Sequence, residues 1–165
     1  MNLRKWIRDI PDFPSKGVLF RDISPLLKSP EALKYVAENL LGHADLSAVD
    51  HIAGVESRGF ILGMLLAAHH GKGFIPIRKA GKLPPPVVAR SYDLEYGQAE
   101  LELNPGEGRV VVVDDVLATG GTLQAAIDLC SQAGYRVQDA AVLINLTFLN
   151  KMEFNGRAVP SLLQY

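Results

Sequence analysis

Hydrophobic positions along the chain repeat with two periods, and their alternation predicts the architecture. Ser29-Pro30 opens a helix, with Ser29 as N-cap and Pro30 at the first helical position. Leu33, Val36, Ala37, Leu40 and Leu41 then recur at i, i+3, i+4, i+7 and i+8, one apolar stripe. A short strand follows over His51–Val55, then an apolar helix over 60–70 that Gly71 closes. Residues 74–78 read as the next strand. Val110, Val111, Val112 and Val113 form a β-branched run without polar alternation, the pattern of a strand covered on both faces. A helix over 122–133 carries Leu123, Ala126, Ile127 and Cys130 on one face and ends at Gly134. Residues 137–146 give a further strand. Strands alternating with helices of this length predict an α/β fold with a mostly parallel central sheet flanked by helices. Only 80–102 breaks the rhythm: it is rich in Pro, Gly and polar residues, then alternates weakly, as a long loop or two-stranded hood does.

Composition narrows the function classes. The chain has 165 residues, 48% hydrophobic and 21% charged, which suits a single domain with a sizeable core. A formal net charge of -1 supplies no global attraction to nucleic acid or an anionic membrane, so a phosphate ligand requires a local cationic cluster. The single cysteine, Cys130, excludes an intrachain disulfide and fits a reducing cytoplasm. No apolar segment follows the basic Arg4, Lys5 and Arg8, so no signal peptide is expected, and the apolar run 60–68 is too short to span a bilayer.

The chemistry concentrates in VVVVDDVLATGGT, residues 110–122. Asp114 and Asp115 sit where the buried strand is expected to end, and open α/β sheets bind ligands outside the carboxyl ends of their strands. Gly120-Gly121 then leads into a helix whose N-terminal amides form a phosphate cradle, with Thr119 and Thr122 adding hydroxyls. Carboxylates for sugar hydroxyls or a metal beside a phosphate cradle describe a sugar-phosphate site. An isolated DD or GG pair is usually a solvated strand end and a turn; only the ordered combination argues for function. The chain carries neither GxxxxGK[ST] nor GxGxxG, which excludes a P-loop and a Rossmann fingerprint.

The 110–122 segment resembles the phosphoribosyl-pyrophosphate motif of type I phosphoribosyltransferases. Its flanks resemble the adenine-specific branch: PDFP (11–14), GVLFRDIS (17–24), SRGF (57–60), RKAGKLP (78–84), LEYGQAEL (94–101) and SLLQY (161–165), in family order over nearly the whole chain. The resemblance implies the type I phosphoribosyltransferase fold, one domain over 1–165, with an adenine-pocket segment at about 10–25 and a flexible hood over the active site at about 80–102. The implied reaction joins adenine to 5-phosphoribosyl-1-pyrophosphate, giving AMP and pyrophosphate in cytoplasmic purine salvage, with Mg²⁺ held mainly by the pyrophosphate, near Asp114 and Asp115. Family members are typically homodimers; the apolar helix over 60–68 suits an interface or the core. No nucleic acid or membrane partner is implied.

Residue by residue, the resemblance gives Ala118, Thr119, Gly120, Gly121 and Thr122 to the 5′-phosphate and Asp114 and Asp115 to the ribose hydroxyls. Arg58, Lys79, Lys82 and Arg78 meet the pyrophosphate, where Arg forks and Lys ammoniums stabilise a dense leaving anion. Glu95, with Arg58 and Lys79, is a catalytic candidate: adenine loses a ring proton as N9 bonds to C1′, and a carboxylate there could accept it. A solvated loop glutamate is the alternative for Glu95. Tyr96 shares its loop. Leu19, through backbone atoms, and Phe20 and Arg21 line the adenine pocket, although Phe20 taken alone reads as core. His69 and His70 read as a helix end, Cys130 as core, and Trp6 as the anchor of an N-terminal helix. Two positions depart from relatives: Ala80 replaces a residue that is basic in some, and Pro84-Pro85-Pro86 stiffens a stretch where some have glycine. Two other readings compete: a phosphoribosyltransferase for another purine, and a non-catalytic sensor on the same fold.

Overall fold

The computed structural model describes residues 1–94 and 97–165. After a 3-10 turn, Leu3–Trp6, come the strands β1 (Arg8–Pro11) and β2 (Leu19–Asp22), paired antiparallel apart from the main sheet. Helices α1 (Ser24–Leu27) and α2 (Pro30–Asn39), strand β3 (His51–Val55), helix α3 (Arg58–His70) and strand β4 (Gly73–Lys79) follow. The hairpin β5 (Val88–Asp93) and β6 (Gln98–Leu103) leads to β7 (Arg109–Leu117), α4 (Gly121–Gln132) and β8 (Arg136–Asn145). A second small antiparallel pair, β9 (Glu153–Phe154) and β10 (Arg157–Ala158), precedes β11 (Ser161–Gln164).

The central sheet has seven strands in the order β11-β8-β7-β3-β4-β6-β5. The first five run parallel, and β6 and β5 extend the β4 edge antiparallel. The valine run explains its centre. Because side chains alternate along a strand, Val111 and Val113 enter a core layer with Ile52 of β3, Val36 of α2, and Leu62 and Leu66 of α3. Val110 and Val112 enter the opposite layer with Ala53, Val55, Ala126, Leu129 and Cys130, most of them from α4. Burial on both faces removes any place for a polar side chain at these positions.

The expected helices form. Ser29 Oγ accepts from the Ala32 amide at 3.2 Å, the N-cap that starts α2, and Gly71 closes α3 in the left-handed region with φ 64°. Two expectations are corrected. Strand β7 runs four residues past Val113, to Leu117, so Asp114 and Asp115 lie inside it. Its pairing with β3 stops at Gly54–Val113, while pairing with β8 continues to Leu117–Asn145, so both acids overhang the end of β3. Trp6 belongs to a single 3-10 turn instead of an N-terminal helix. The 80–102 stretch contains the β5–β6 hairpin, tied to α4 by Arg90–Asp128 at 2.7 Å, and Asn104 Nδ2 donates to the carbonyls of Pro84 and Pro86 at 2.8 and 2.7 Å.

Candidate active site

At the carboxyl ends of β3, β4 and β7, Glu56, Ser57, Arg58, Lys79, Asp114 and Asp115 line a pocket of about 270 Å³. Asp114 also borders a smaller pocket of about 90 Å³ walled by Val116 to Gly120, Thr122 and Leu123. One acid therefore faces both spaces. The N-terminus of α3 approaches β7 closely because residue 59 has no side chain: a Cβ there would lie 2.9 Å from Asp114 Oδ1 and 3.1 Å from the Val113 carbonyl oxygen.

The two aspartates are buried, and burial is the main reason both carboxyls are pushed above the ordinary carboxylate range. For Asp114 the neighbouring Asp115 charge adds to the rise; for Asp115 the Arg58 guanidinium opposes it. The Asp115 amide donates to Asp114 Oδ1 at 2.8 Å. Arg58 Nε stands 2.7 Å from Asp115 Oδ2 but out of hydrogen-bond alignment, so this buried oxygen has no aligned donor among the described residues. A ligand hydroxyl would satisfy it.

Residues 118–122 wrap the smaller pocket. Gly120 takes φ 97°, open to glycine, and Gly121 begins α4, whose first amides have no intrahelical acceptor and point outward as anion donors. Asn150 braces this loop: its Nδ2 donates to the Ala118 carbonyl at 2.7 Å and to the Leu146 carbonyl at 3.0 Å. The Thr122 hydroxyl donates to Tyr92 of β5 at 3.3 Å, so the hairpin overlies the loop.

The four cations differ in setting. Arg58 crosses the pocket wall: its Nη1 donates to the Arg21 carbonyl at 3.4 Å and its guanidinium lies 4.7 Å over the Phe20 ring. Lys79 is exposed at the end of β4, and its ammonium has no ion pair among the described residues. Arg78 and Lys82 both turn to Glu56, through contacts of 3.3 and 2.6 Å. Glu102 gathers the amides of Gly81, Lys82 and Leu83 at 2.9, 2.6 and 2.6 Å and so shapes the turn that carries Lys82.

Among the adenine-pocket candidates, Leu19 is exposed and Phe20 packs edge-on to Phe13 with ring centres 5.1 Å apart. The Arg21 guanidinium turns to Asp9 at 2.5 Å and to the Tyr165 ring at 3.8 Å, so its side chain braces β2 from behind. Glu95 and Tyr96 lie outside the described residues. His69 and His70 meet edge to face at the end of α3, and Cys130 is fully buried, its thiol pushed up to about 12 by burial. Sequence reasoning missed Glu56, Asn150 and Glu102. Glu56 precedes the SRGF block directly and was open to notice; Asn150 and Glu102 act through contacts 32 and about 20 residues away, which no local pattern signals.

Residues 22–153 match the phosphoribosyl transferase domain family. An adenine phosphoribosyltransferase of Bdellovibrio bacteriovorus is 66% identical over 165 residues, covering 100% of both chains. The crystal structure of adenine phosphoribosyltransferase from Rhodothermus marinus superposes with a TM-score of 0.89 at 44% identity, over 99% of this chain and 96% of that one. The Giardia lamblia enzyme complexed with 9-deazaadenine superposes with a TM-score of 0.87 at 37% identity, over 99% and 96%. With a sugar-phosphate motif at the open end of a parallel sheet and likeness running from end to end of the chain, this protein belongs to the adenine phosphoribosyltransferases, within the phosphoribosyl transferase domain family.

Proposed function

We propose that the chain, acting as one catalytic domain, transfers the phosphoribosyl group of 5-phosphoribosyl-1-pyrophosphate to N9 of adenine, producing AMP and pyrophosphate for cytoplasmic purine salvage. The observation that carries this reading is Asp114, which borders both pockets. A ribose held by Asp114 and Asp115 would present its 5′-phosphate to the 118–122 loop and its 1-pyrophosphate to Arg58, Lys79, Arg78 and Lys82. The loop is neutral and donor-rich, which suits a monoester; the other pocket is cationic, which suits a leaving group that gains charge.

In the reaction the C1′–oxygen bond to pyrophosphate breaks and the N9–C1′ bond forms, through an oxocarbenium-like transition state. Arg58 and Lys79 would neutralise the departing anion, and the buried acids would fix the ring for in-line attack. The N9 proton leaves to a base, the role we assign to Glu95, and exclusion of water from the pocket would supply part of the rate. Leu19 would offer backbone groups to the adenine edge and Phe20 its ring, with Arg21 bracing the strand. An exocyclic amine needs an acceptor there; a 6-oxo purine would bring a second one and leave buried groups unpaired, at about 1–3 kcal/mol each.

Mg²⁺ suits the same pocket. It usually keeps waters and takes one or two carboxylates plus substrate phosphates, and the Asp115 oxygen lacking an aligned donor fits that donor set. When bound it would neutralise pyrophosphate charge. A homodimer is supported by Ile61 and Met64, exposed one turn apart on α3, and light scattering would measure it. No described helix is long and apolar enough to cross a membrane.

The deciding assay supplies Mg²⁺, 5-phosphoribosyl-1-pyrophosphate and labelled adenine, with hypoxanthine and guanine in parallel. AMP from adenine alone is expected. Product from another base would sink the adenine assignment, and no product from any base would favour a sensor.

A further inference from the structure

Glu56 stands just past the end of β3, and its side-chain hydrogen bonds among the described residues reach the segment assigned above to pyrophosphate. Its Oε1 accepts from Lys82 Nζ at 2.6 Å. Its Oε2 accepts from the Lys79 amide at 3.0 Å and from Arg78 Nε at 3.3 Å. The side chain is only 9% exposed and lines the same pocket as Arg58, Lys79 and Asp115. Burial alone would raise its carboxyl; Lys82, the Lys79 amide and Arg78 outweigh burial and hold it at about 2, so the group is an anion at any working pH.

A fixed anion inside an anion-binding pocket needs a reason. Two of the four cations are already engaged by it, and Lys82 donates through the end of a long flexible stem. A pyrophosphate entering the pocket competes with Glu56 for these donors and is repelled by it across low-dielectric walls. We propose that Glu56 is a positioning residue that parks Lys82 and Arg78 at the pocket wall and yields them to pyrophosphate, thereby limiting how tightly that group is held. The inference rests on the phosphoribosyltransferase reading of the pocket. Its consequence is kinetic: a product as densely charged as pyrophosphate leaves faster when its cations have an alternative partner waiting. The Lys79 amide contact serves a second purpose, because it holds the backbone of the cationic segment while the side chains exchange.

The test is calorimetric titration of pyrophosphate into the wild-type protein and Glu56→Gln. Glutamine keeps the size and an oxygen for the Lys79 amide but removes the charge. Pyrophosphate should bind the variant roughly ten-fold more tightly, the scale of one partly screened charge contact. Product inhibition by pyrophosphate should strengthen to match, while KM for adenine stays unchanged. Adding Lys82→Gln should abolish most of the gain, since the two residues act as a pair. Equal or weaker binding by Glu56→Gln, with AMP still formed by the wild type, would overturn the inference and leave the site reading intact. Pyrophosphate that binds neither protein would overturn both. A crystal structure of the wild type with pyrophosphate reads the exchange without any variant: Lys82 Nζ should leave Glu56 for a phosphate oxygen, and an Nζ still about 3 Å from Glu56 would refute it.

Discussion

Gly59→Ala separates what the active site needs from what the fold needs. The backbone of residue 59 is helical, so alanine meets no conformational barrier and gains about 1 kcal/mol of helix propensity. Against this, its methyl would sit 3.1 Å from the Val113 carbonyl oxygen, which is backbone in the central strand, and 2.9 Å from Asp114 Oδ1, the end of a short side chain. Overpacking of this kind costs about 1–3 kcal/mol. The net change in stability is therefore small, within about 2 kcal/mol of destabilisation, because the two terms oppose. Activity has no such compensation. The carboxylate can relieve the contact only by rotating, which releases the Asp115 amide it accepts at 2.8 Å and turns both acids from their common geometry. A misplacement near 1 Å costs about 10²-fold in rate. The expected result is a kcat/KM for 5-phosphoribosyl-1-pyrophosphate lowered by about 10²-fold with Tm nearly preserved. Gly63→Ala is the control: its methyl would meet the Phe74 ring at 2.7 Å, away from the acids, so it should lower Tm and spare the kinetics. Wild-type kcat/KM in Gly59→Ala would show that the close approach of α3 to β7 has no part in setting Asp114.

The remaining predictions concern charge, burial and bracing. Asp114→Asn should raise Tm at pH 7 while lowering kcat/KM by two orders of magnitude or more. A carboxyl pushed above its ordinary 3.8 by burial draws stability down as pH rises past that value, so removing the charge should raise Tm at neutral pH and leave it nearly unchanged at low pH. Glu56 carries the opposite sign. Its contribution to stability is complete above 4.5 and lost as pH falls towards 2, so Tm profiles of the wild type and Glu56→Gln should converge at the acid end. Cys130 should react with a thiol reagent only after denaturation; a native reaction within minutes would contradict its burial. Asn150→Ala should take from the Ala118 carbonyl its Asn150 donor, while the Leu146 carbonyl keeps the Leu149 amide, lower stability by about 1–3 kcal/mol and raise KM for the phosphoribosyl substrate more than KM for adenine.

Legibility in the sequence followed the range of the interactions involved. The valine run fixed both faces of β7 because alternation within one strand decides which layer each side chain enters. Ser29, Pro30 and Gly71 marked helix ends because capping involves neighbours in the chain. The end of β7 was misread at Val113 because two acids usually mark solvent, whereas here the strand keeps its β8 pairing for four more residues after β3 has stopped. That overhang suits the aspartates to the proposed site: burial pushes both carboxyls up, and the β3 side of β7 is unpaired beside them. The small pairs β1–β2 and β9–β10 escaped notice for a related reason, since strands of two to four residues carry too few alternations to register.

The charge cluster was the hardest part to read, and its difficulty is physical. Local sequence shows Arg78, Lys79 and Lys82 as a basic stretch, which a solvated face explains as well as a phosphate site does. Folding distinguishes the two by bringing an acid from 26 residues upstream against Lys82. At Glu56 the contacts with Lys82, the Lys79 amide and Arg78 outweigh burial, so the cluster holds together in the resting fold and an incoming anion has to compete with it. On the proposed reading, Glu56 at the wall of a cationic pocket is therefore a setting on ligand affinity as well as a contribution to stability. Asp114 and Asp115 carry the opposite sign: burial pushes both carboxyls up, so their ionised forms weaken the resting fold, and on the proposed reading a ligand hydroxyl would offset that cost.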